Sequence, residues 1–190
     1  LVVVKNPGSY NSQVGVPLSI WQLQPYHQFG IFEAGISKPG EMEKLKKVIQ
    51  PTLGIFTNIG SSHSEGFTDQ GEKVSEKVKL FEGVDVLIYC KDHNQVDQTI
   101  SRSKIKTFSW GISPLSDLRI EPGESNFTLN YQNQSHQIVL PFSDSASQEN
   151  CFHCIALLIR LGYTIPMIQE KIMSLRSIPM RMELKEGINH

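Results

Sequence analysis

The sequence has no excess of basic residues, no long apolar run and few cysteines. Its 18 lysines and arginines face 19 aspartates and glutamates, giving a net charge of -1, which predicts no attraction to nucleic acid or to an anionic membrane. No apolar run approaches the roughly 20 residues that a membrane-spanning helix requires. The odd count of 3 cysteines predicts reduced thiols and a cytoplasmic location rather than a disulfide framework.

A glycine-rich phosphate loop is also missing. No segment of the form G-x-x-x-x-G-K-[ST] occurs in the 190 residues, and the backbone amides of that motif would hold nucleotide phosphates. The chain opens inside the apolar run LVVV and stops at ELKEGINH, which reads as a strand entering a turn. These ends predict a piece excised from a longer protein, although 190 residues suffice for one domain with its own core.

Short apolar runs alternate with amphipathic stretches in the first half of the chain. Strands are predicted within HQFGIFEAG (27–35), TLGIFTNIG (52–60) and VDVLIYC (84–90). Apolar residues at helical spacing predict helices over 40–50 and 70–83, which Pro51 and Gly83 terminate. This order of elements predicts an α/β fold with a mostly parallel sheet flanked by helices.

The pattern changes after residue 104. Short strands are predicted within IKTFSWG, LRIEPGE and FTLNYQNQSHQIVLP. They are expected to form a small antiparallel portion with a hairpin turn in NYQNQSHQ. Helices are predicted over ENCFHCIALLIRLG (149–162) and IPMIQEKIMSL (165–175). Trp21 and Trp110 are predicted to pack in the core, Cys151 and Cys154 to be core thiols rather than a zinc site, and His153 to be structural.

Polar residues follow the predicted parallel strands at the edge where such sheets bind ligands. Glu33 ends the first strand, Asn58 follows the second, His63 lies in the loop beyond, and Lys77 lies on the next helix. A carboxylate is a suitable ligand for Mg²⁺, and a histidine can add a nitrogen ligand. An unmodified lysine cannot bind a cation; it becomes an oxygen ligand only if CO₂ converts its amine to a carbamate, which spacing alone does not predict.

Each candidate also has an ordinary structural explanation. Glu33 could cap the next element, His63 could be a solvated loop residue, and Lys77 could lie on an exposed helix face. Asn58 could tie down a turn, Asn150 could cap a helix, and Arg181 could form a surface ion pair. Spacing alone does not decide between these alternatives.

Four segments together resemble the central ATP-binding domain of the Mur ligases: SYNSQVGVPLSIWQL (9–23), FEAGISKPGEMEKL (32–45), PTLGIFTNIGSSHSEGF (51–67) and EKVKLF (76–81). ENCFHCIALL (149–158) and IPMRMELKEG (178–187) extend the resemblance over nearly the whole chain. The similarity is greatest to members that join D-alanyl-D-alanine to UDP-N-acetylmuramoyl-tripeptide, and SYNSQVGVPLS resembles the form fused to an alanine racemase. Residues 1–190 are therefore expected to be part of a central domain that lacks its upstream phosphate loop and its C-terminal domain.

The resemblance implies an ATP-dependent ligase that uses Mg²⁺, and it implies a role for each matching residue. It makes Glu33 and His63 Mg²⁺ ligands and Lys77 a carbamylated lysine that joins them. It brings Asn58 and Asn150 to the nucleotide, Arg181 to its phosphates, and Asn11, Ser12 and Gln13 to the muramyl substrate. One departure is Lys79, at a position where the family often has glutamate.

Three other functions remain open from the sequence. A different ligase of the superfamily, of the folylpolyglutamate or cyanophycin type, would share the sheet and differ in its acceptor. A non-catalytic piece of the fold would bind nucleotide poorly. A phosphate-loop kinase separated from its loop would differ in the sequence upstream, since a Mur ligase needs a UDP-sugar-binding domain there.

Overall fold

A computed structural model of the chain describes residues 1–60 and 66–176. The backbone divides into two compact units, Leu1–Phe108 and Ser109–His190, and the boundary falls within a strand. Among the helices of the described ranges, none combines the length and the apolar character needed to cross a bilayer.

The first unit alternates strands and helices, as predicted. Its elements are β1 (Val3–Lys5), α1 (Gly15–Ile20), β2 (Phe29–Ile31), α2 (Glu41–Ile49), β3 (Leu53–Phe56), α3 (Gln70–Val78), β4 (Val86–Cys90) and α4 (Asn94–Ser101). A 3₁₀ turn follows α3 directly. The pairs β1–β2 and β3–β4 are both parallel, but they belong to two separate sheets rather than to one. The elements β1, α1 and α4 are additional to those predicted.

Strand β4 lies at the centre of the first unit. All five of its residues are buried, which suits a continuous apolar run in a parallel strand covered on both faces. Its neighbour β3 contains Gly54, where an added Cβ would collide with the ring of Phe81. Glycine at this position therefore lets the turn after α3 pack directly against the sheet.

Helices α2 and α3 cover this part of the core. Met42 and Leu45 of α2 are 1% exposed, and Val74 of α3 is fully buried in the same apolar cluster. These residues follow the predicted helical spacing, so the two helices are confirmed. Because their apolar stripes meet, the start of α2 lies close to the buried face of α3.

The second unit contains β5 (Thr107–Gly111), which begins just before the boundary, and then β6 (Leu118–Pro122), β7 (Phe127–Tyr131), β8 (Gln134–Ile138), α5 (Ser145–Arg160) and α6 (Ile165–Ile172). Strands β5 and β6 pair in parallel, whereas β6–β7 and β7–β8 are antiparallel. Gln132 and Asn133 join β7 to β8 with φ angles of 49° and 60°, as a two-residue hairpin turn requires. The predicted antiparallel portion and its hairpin are confirmed.

The two tryptophans have opposite environments. Trp110 is 5% exposed, and its Nε1–H donates to Nδ1 of His153 over 2.9 Å. Both residues are therefore structural, as predicted. The prediction for Trp21 is wrong, because this side chain is 83% exposed. Helix α1 ends at the preceding residue, and its buried face is formed by Gly15, Val16 and Ser19.

The two cysteines of α5 also differ. Cys151 is buried, and its burial raises the pKa of the thiol to about 11. Cys154 lies off the buried face of the helix and is exposed. The prediction of a core thiol is therefore confirmed for Cys151 and wrong for Cys154.

The central position of β4 predicts a large cost for removing one of its side chains. Leu87 is fully buried, so Leu87→Ala should lower the free energy of unfolding by about 2–5 kcal/mol. The same change at Leu115, which is 79% exposed, is the control and should alter it by no more than about 0.5 kcal/mol. Urea unfolding followed by circular dichroism measures both. Equal losses in the two variants would contradict the assignment of β4 to the core.

Candidate functional site

Glu33 lies just beyond β2 and is held by two asparagines. The Asn11 side-chain amide donates to Glu33 Oε1 over 2.8 Å. Asn6 accepts from the Glu33 backbone N–H over 2.7 Å and donates to the Glu33 carbonyl over 3.2 Å. Asn6 also donates to the carbonyl of Tyr10. The carboxylate is exposed, yet both its backbone and one of its oxygens are fixed, so it can meet a ligand without being reorganised.

The segment that carries Asn11 is tied to the same place. The Gly35 N–H, two residues after Glu33, donates to the Asn11 carbonyl over 2.7 Å. Ser12 Oγ accepts from the Gly15 N–H over 3.1 Å at the start of α1. The Nε2 atom of Gln13 is buried and has no hydrogen-bond partner within the described residues. The structure thus brings Asn11 to Glu33 and leaves Gln13 with an unused donor.

Lys77 is half-buried on α3. Its ammonium lies 5.8 Å from the centroid of the Phe56 ring, within the range of a cation–π contact. Burial lowers the pKa of Lys77, the charge of Lys73 lowers it further, and Glu33 opposes both effects. The exposed-face alternative is therefore wrong. A lowered pKa increases the fraction of neutral amine, which is the nucleophilic form.

Two further charged residues of α3 turn inward. Lys73 is 4% exposed and donates to the Gly60 carbonyl over 2.9 Å, beyond the end of β3. Glu76 is 3% exposed and lies 2.6 Å from the ammonium of Lys79. This hydrogen bond raises the pKa of Lys79. Lys79, which stands where the family often has glutamate, therefore pairs with a carboxylate about one helical turn earlier in the chain.

The two candidate asparagines for nucleotide binding lie in different units. Asn58 is exposed, shortly after β3. Asn150 is exposed within α5 of the second unit, and the capping alternative for it is wrong. The helix begins at Ser145 rather than residue 149, and its cap is Asp144, which accepts from the Ser147 N–H.

Two of the predicted site residues, His63 and Arg181, lie outside the described residues. Within residues 1–60 and 66–176, no group of three or more His, Cys, Asp or Glu side chains could hold a metal ion. Of the predicted metal ligands, the described part of the chain therefore contains Glu33 and the amine of Lys77.

Three residues of the site were not predicted: Asn6, Lys73 and Glu76. The sequence offered no signal for Asn6, because β1 and its parallel pairing with β2, in which Lys5 lies opposite Ile31, are seen only in the structure. Lys73 and Glu76 lie on either side of Val74 in a charge-rich helix. The sequence alone predicts that such charged residues face solvent, because it does not show which elements pack against the helix.

The comparisons with known proteins agree on one family. A family model described as the Mur ligase middle domain matches residues 2–158. The UDP-N-acetylmuramoyl-tripeptide--D-alanyl-D-alanine ligase of Haemophilus influenzae is 27% identical over 164 residues, which cover 83% of this chain and 36% of that protein. The corresponding ligase of Escherichia coli is 23% identical over 189 residues, covering 92% of this chain and 41% of the relative. The chain thus spans about two fifths of these curated relatives.

Solved structures agree with the fold. The crystal structure of MurF from Acinetobacter baumannii has a TM-score of 0.82 at 20% identity, covering 100% of this chain and 43% of that one. The α/β fold with a mostly parallel sheet is therefore confirmed at the level of backbone arrangement.

Two substitutions near Lys77 should shift the pKa of its amine in opposite directions. Lys73→Met should raise the pKa of Lys77 because it removes a like charge, and Glu33→Gln should lower it because it removes an opposite charge. NMR titration of ¹³C-methylated lysines follows the Lys77 amine. Glu43→Gln, at an exposed glutamate of α2, is the control and should leave the titration unchanged. A shift in the same direction in both test variants would contradict the assignment.

Proposed function

Because the chain belongs to the Mur ligase family through its middle domain, we propose that it forms the central, ATP-binding part of a longer ligase. That enzyme joins D-alanyl-D-alanine to UDP-N-acetylmuramoyl-tripeptide in the cytoplasm. The observation that carries the proposal is the match of 83% of the chain to a relative with this activity in its name. The phosphate loop and the other domains would lie elsewhere in the longer protein, and an attached alanine racemase stays a prediction.

The described residues fit a Mg²⁺ site in which phosphates complete the coordination. Glu33 presents a fixed, exposed carboxylate, and Mg²⁺ is commonly held by one or two carboxylates together with substrate phosphates. His63 and a modified Lys77 would add the remaining protein ligands. Bound Mg²⁺ would offset the negative charge of the triphosphate and of the reacting carboxylate.

Lys77 can serve only after its amine has reacted with CO₂. The neutral amine nitrogen forms a bond to the carbon of CO₂, one proton leaves, and an anionic carbamate results. Burial and the charge of Lys73 support this step because both lower the pKa of Lys77. The carbamate supplies carboxylate-like oxygens, whereas an ammonium has no lone pair to offer.

The reaction then proceeds through an acyl phosphate. The tripeptide carboxylate attacks the γ-phosphorus of ATP, and ADP leaves. The amine of D-alanyl-D-alanine attacks the acyl carbon, an amide forms, and phosphate leaves. The protein contributes mainly orientation and electrostatic stabilisation.

The remaining candidates would bind the substrates. Asn58 and Asn150 would contact the nucleotide, and Arg181 its phosphates. A relevant similarity is to the Thermotoga maritima MurF, with a TM-score of 0.81 and 20% identity over 98% of this chain and 45% of that one, a structure that contains ADP. Asn11, Ser12 and Gln13 would border the muramyl substrate.

In the complete ligase, Glu33→Ala should lower turnover about a hundredfold, the loss expected for one charge-stabilising group. Lys77→Arg should abolish turnover, because a guanidinium keeps the positive charge but cannot form the carbamate. The matched control is Lys47→Arg, at an exposed lysine of α2, and it should keep normal turnover. ADP release in the presence of both substrates is the measurement. Retained activity in Lys77→Arg would rule out the modified lysine.

The 190-residue chain alone should neither hydrolyse ATP nor bind it tightly. It contains no phosphate-loop motif, so the charge of the triphosphate would remain largely uncompensated. Calorimetric titration of ATP and Mg²⁺ should detect tight binding only when the chain is extended upstream through that loop. Tight, Mg²⁺-dependent binding to the 190 residues would argue against the proposed division of the site.

A further inference from the structure

Glu76 is a buried carboxylate with two partners. It is 3% exposed, and a charge at that depth is destabilising unless it is paired and hydrogen-bonded. Its Oε1 accepts from the Gly40 backbone N–H over 2.6 Å, and its Oε2 lies 2.6 Å from the Lys79 ammonium. Both oxygens are therefore engaged, and Glu76 connects α3 to a residue 36 positions earlier in the chain.

Gly40 is the residue that caps the start of α2. Its φ of 82° is left-handed, and it has no side chain with which to cap the helix. In a capping box, the carboxylate at the third helical position reaches back to the N–H of the cap. That residue here is Glu43, which pairs with Lys47 instead. Glu76 thus supplies from α3 the hydrogen bond that α2 does not make for itself.

This bond joins the two parts of the chain on which the candidate chemistry depends. Gly40 ends the segment that begins at Glu33, and Glu76 immediately precedes Lys77. We propose that Glu76 is a positioning residue that holds the Lys77 amine in place relative to Glu33 through its hydrogen bond to Gly40. This inference rests on the proposed function and deepens it by assigning a residue that controls modification of the lysine.

A second ion pair provides a matched control. Lys46 of α2 lies 2.9 Å from Glu82, which follows the turn after α3. This pair also joins α2 to the segment around the end of α3. Its α2 member, Lys46, lies six residues beyond Gly40, about 9 Å along the helix axis. Loss of this pair should leave the position of Lys77 relative to Glu33 unchanged.

The test variants remove each pair without leaving a buried charge. Glu76→Met/Lys79→Met replaces both partners by apolar residues, a change that buried ion pairs often tolerate, and it removes the acceptor for Gly40. Glu76→Gln keeps an oxygen acceptor for that N–H and serves as the conservative rescue. Lys46→Met/Glu82→Met removes the control pair in the same way.

The readout is formation of the Lys77 carbamate in the complete ligase. The protein is incubated with ¹³C-bicarbonate, and the carbamate signal that Lys77→Arg lacks is followed by NMR as bicarbonate is raised. The bicarbonate concentration for half-maximal signal should rise about tenfold in Glu76→Met/Lys79→Met, as for one lost hydrogen bond to a charged group. It should return close to the wild-type value in Glu76→Gln and should not change in Lys46→Met/Glu82→Met.

The possible outcomes test the modification of Lys77 and the positioning role of Glu76 separately. A wild-type ligase without any Lys77 carbamate signal overturns the lysine modification and, with it, the role of Glu76. A normal wild-type signal that Glu76→Met/Lys79→Met leaves unchanged overturns the positioning role alone. An equal rise in the control double variant also overturns it, because any loosening of α2 would then suffice. Dependence of turnover on bicarbonate should follow the same order among the variants.

Discussion

Three charged side chains of α3 point towards the protein interior, and the rest of the site depends on how they are satisfied. Lys73 reaches the Gly60 carbonyl, and Glu76 reaches Gly40 and Lys79. Lys77 lies over the Phe56 ring. Because burial of a charge is unfavourable without a partner, these contacts restrict α3 to one position against β3 and the start of α2. A helix held only by Val74 and Val78 would have more freedom to slide.

The Glu33 side of the site is rigid for a different reason. Asn6 and Asn11 are short, neutral side chains at the point where β1 and β2 give way to loops. The Asn6 amide bonds to the Glu33 backbone, and the Asn11 amide donates to the Glu33 carboxylate. Parallel pairing of β1 with β2 brings Asn6 to this position. The site thus combines a carboxylate held by an amide hydrogen bond with a half-buried amine that lies over the Phe56 ring. The contacts that hold the carboxylate and the amine are made within the protein and do not require a bound ligand.

The sequence predicted the elements whose apolar pattern is dense. The continuous run of β4 and the stripes of α2 and α3 required no tertiary information, and family motifs pointed to Glu33 and Lys77. Helix α4 was missed because its buried face consists of only Val96 and Ile100 within a polar stretch. Aromatic character alone did not predict the environment of Trp21, which directly follows α1 and is exposed. The roles of Asn6 and Glu76 could not be predicted, since both depend on partners 27 and 36 residues distant.

The contrast between the two tryptophans makes the second unit separately observable. Trp21 is 83% exposed, so its indole is already in water and its emission should change little on unfolding. Trp110 is buried against His153 and Phe152, so its emission should shift to longer wavelength when β5 and α5 separate. The sequence contains only these two tryptophans. Intrinsic fluorescence therefore follows loss of structure around α5, whereas circular dichroism averages over both units.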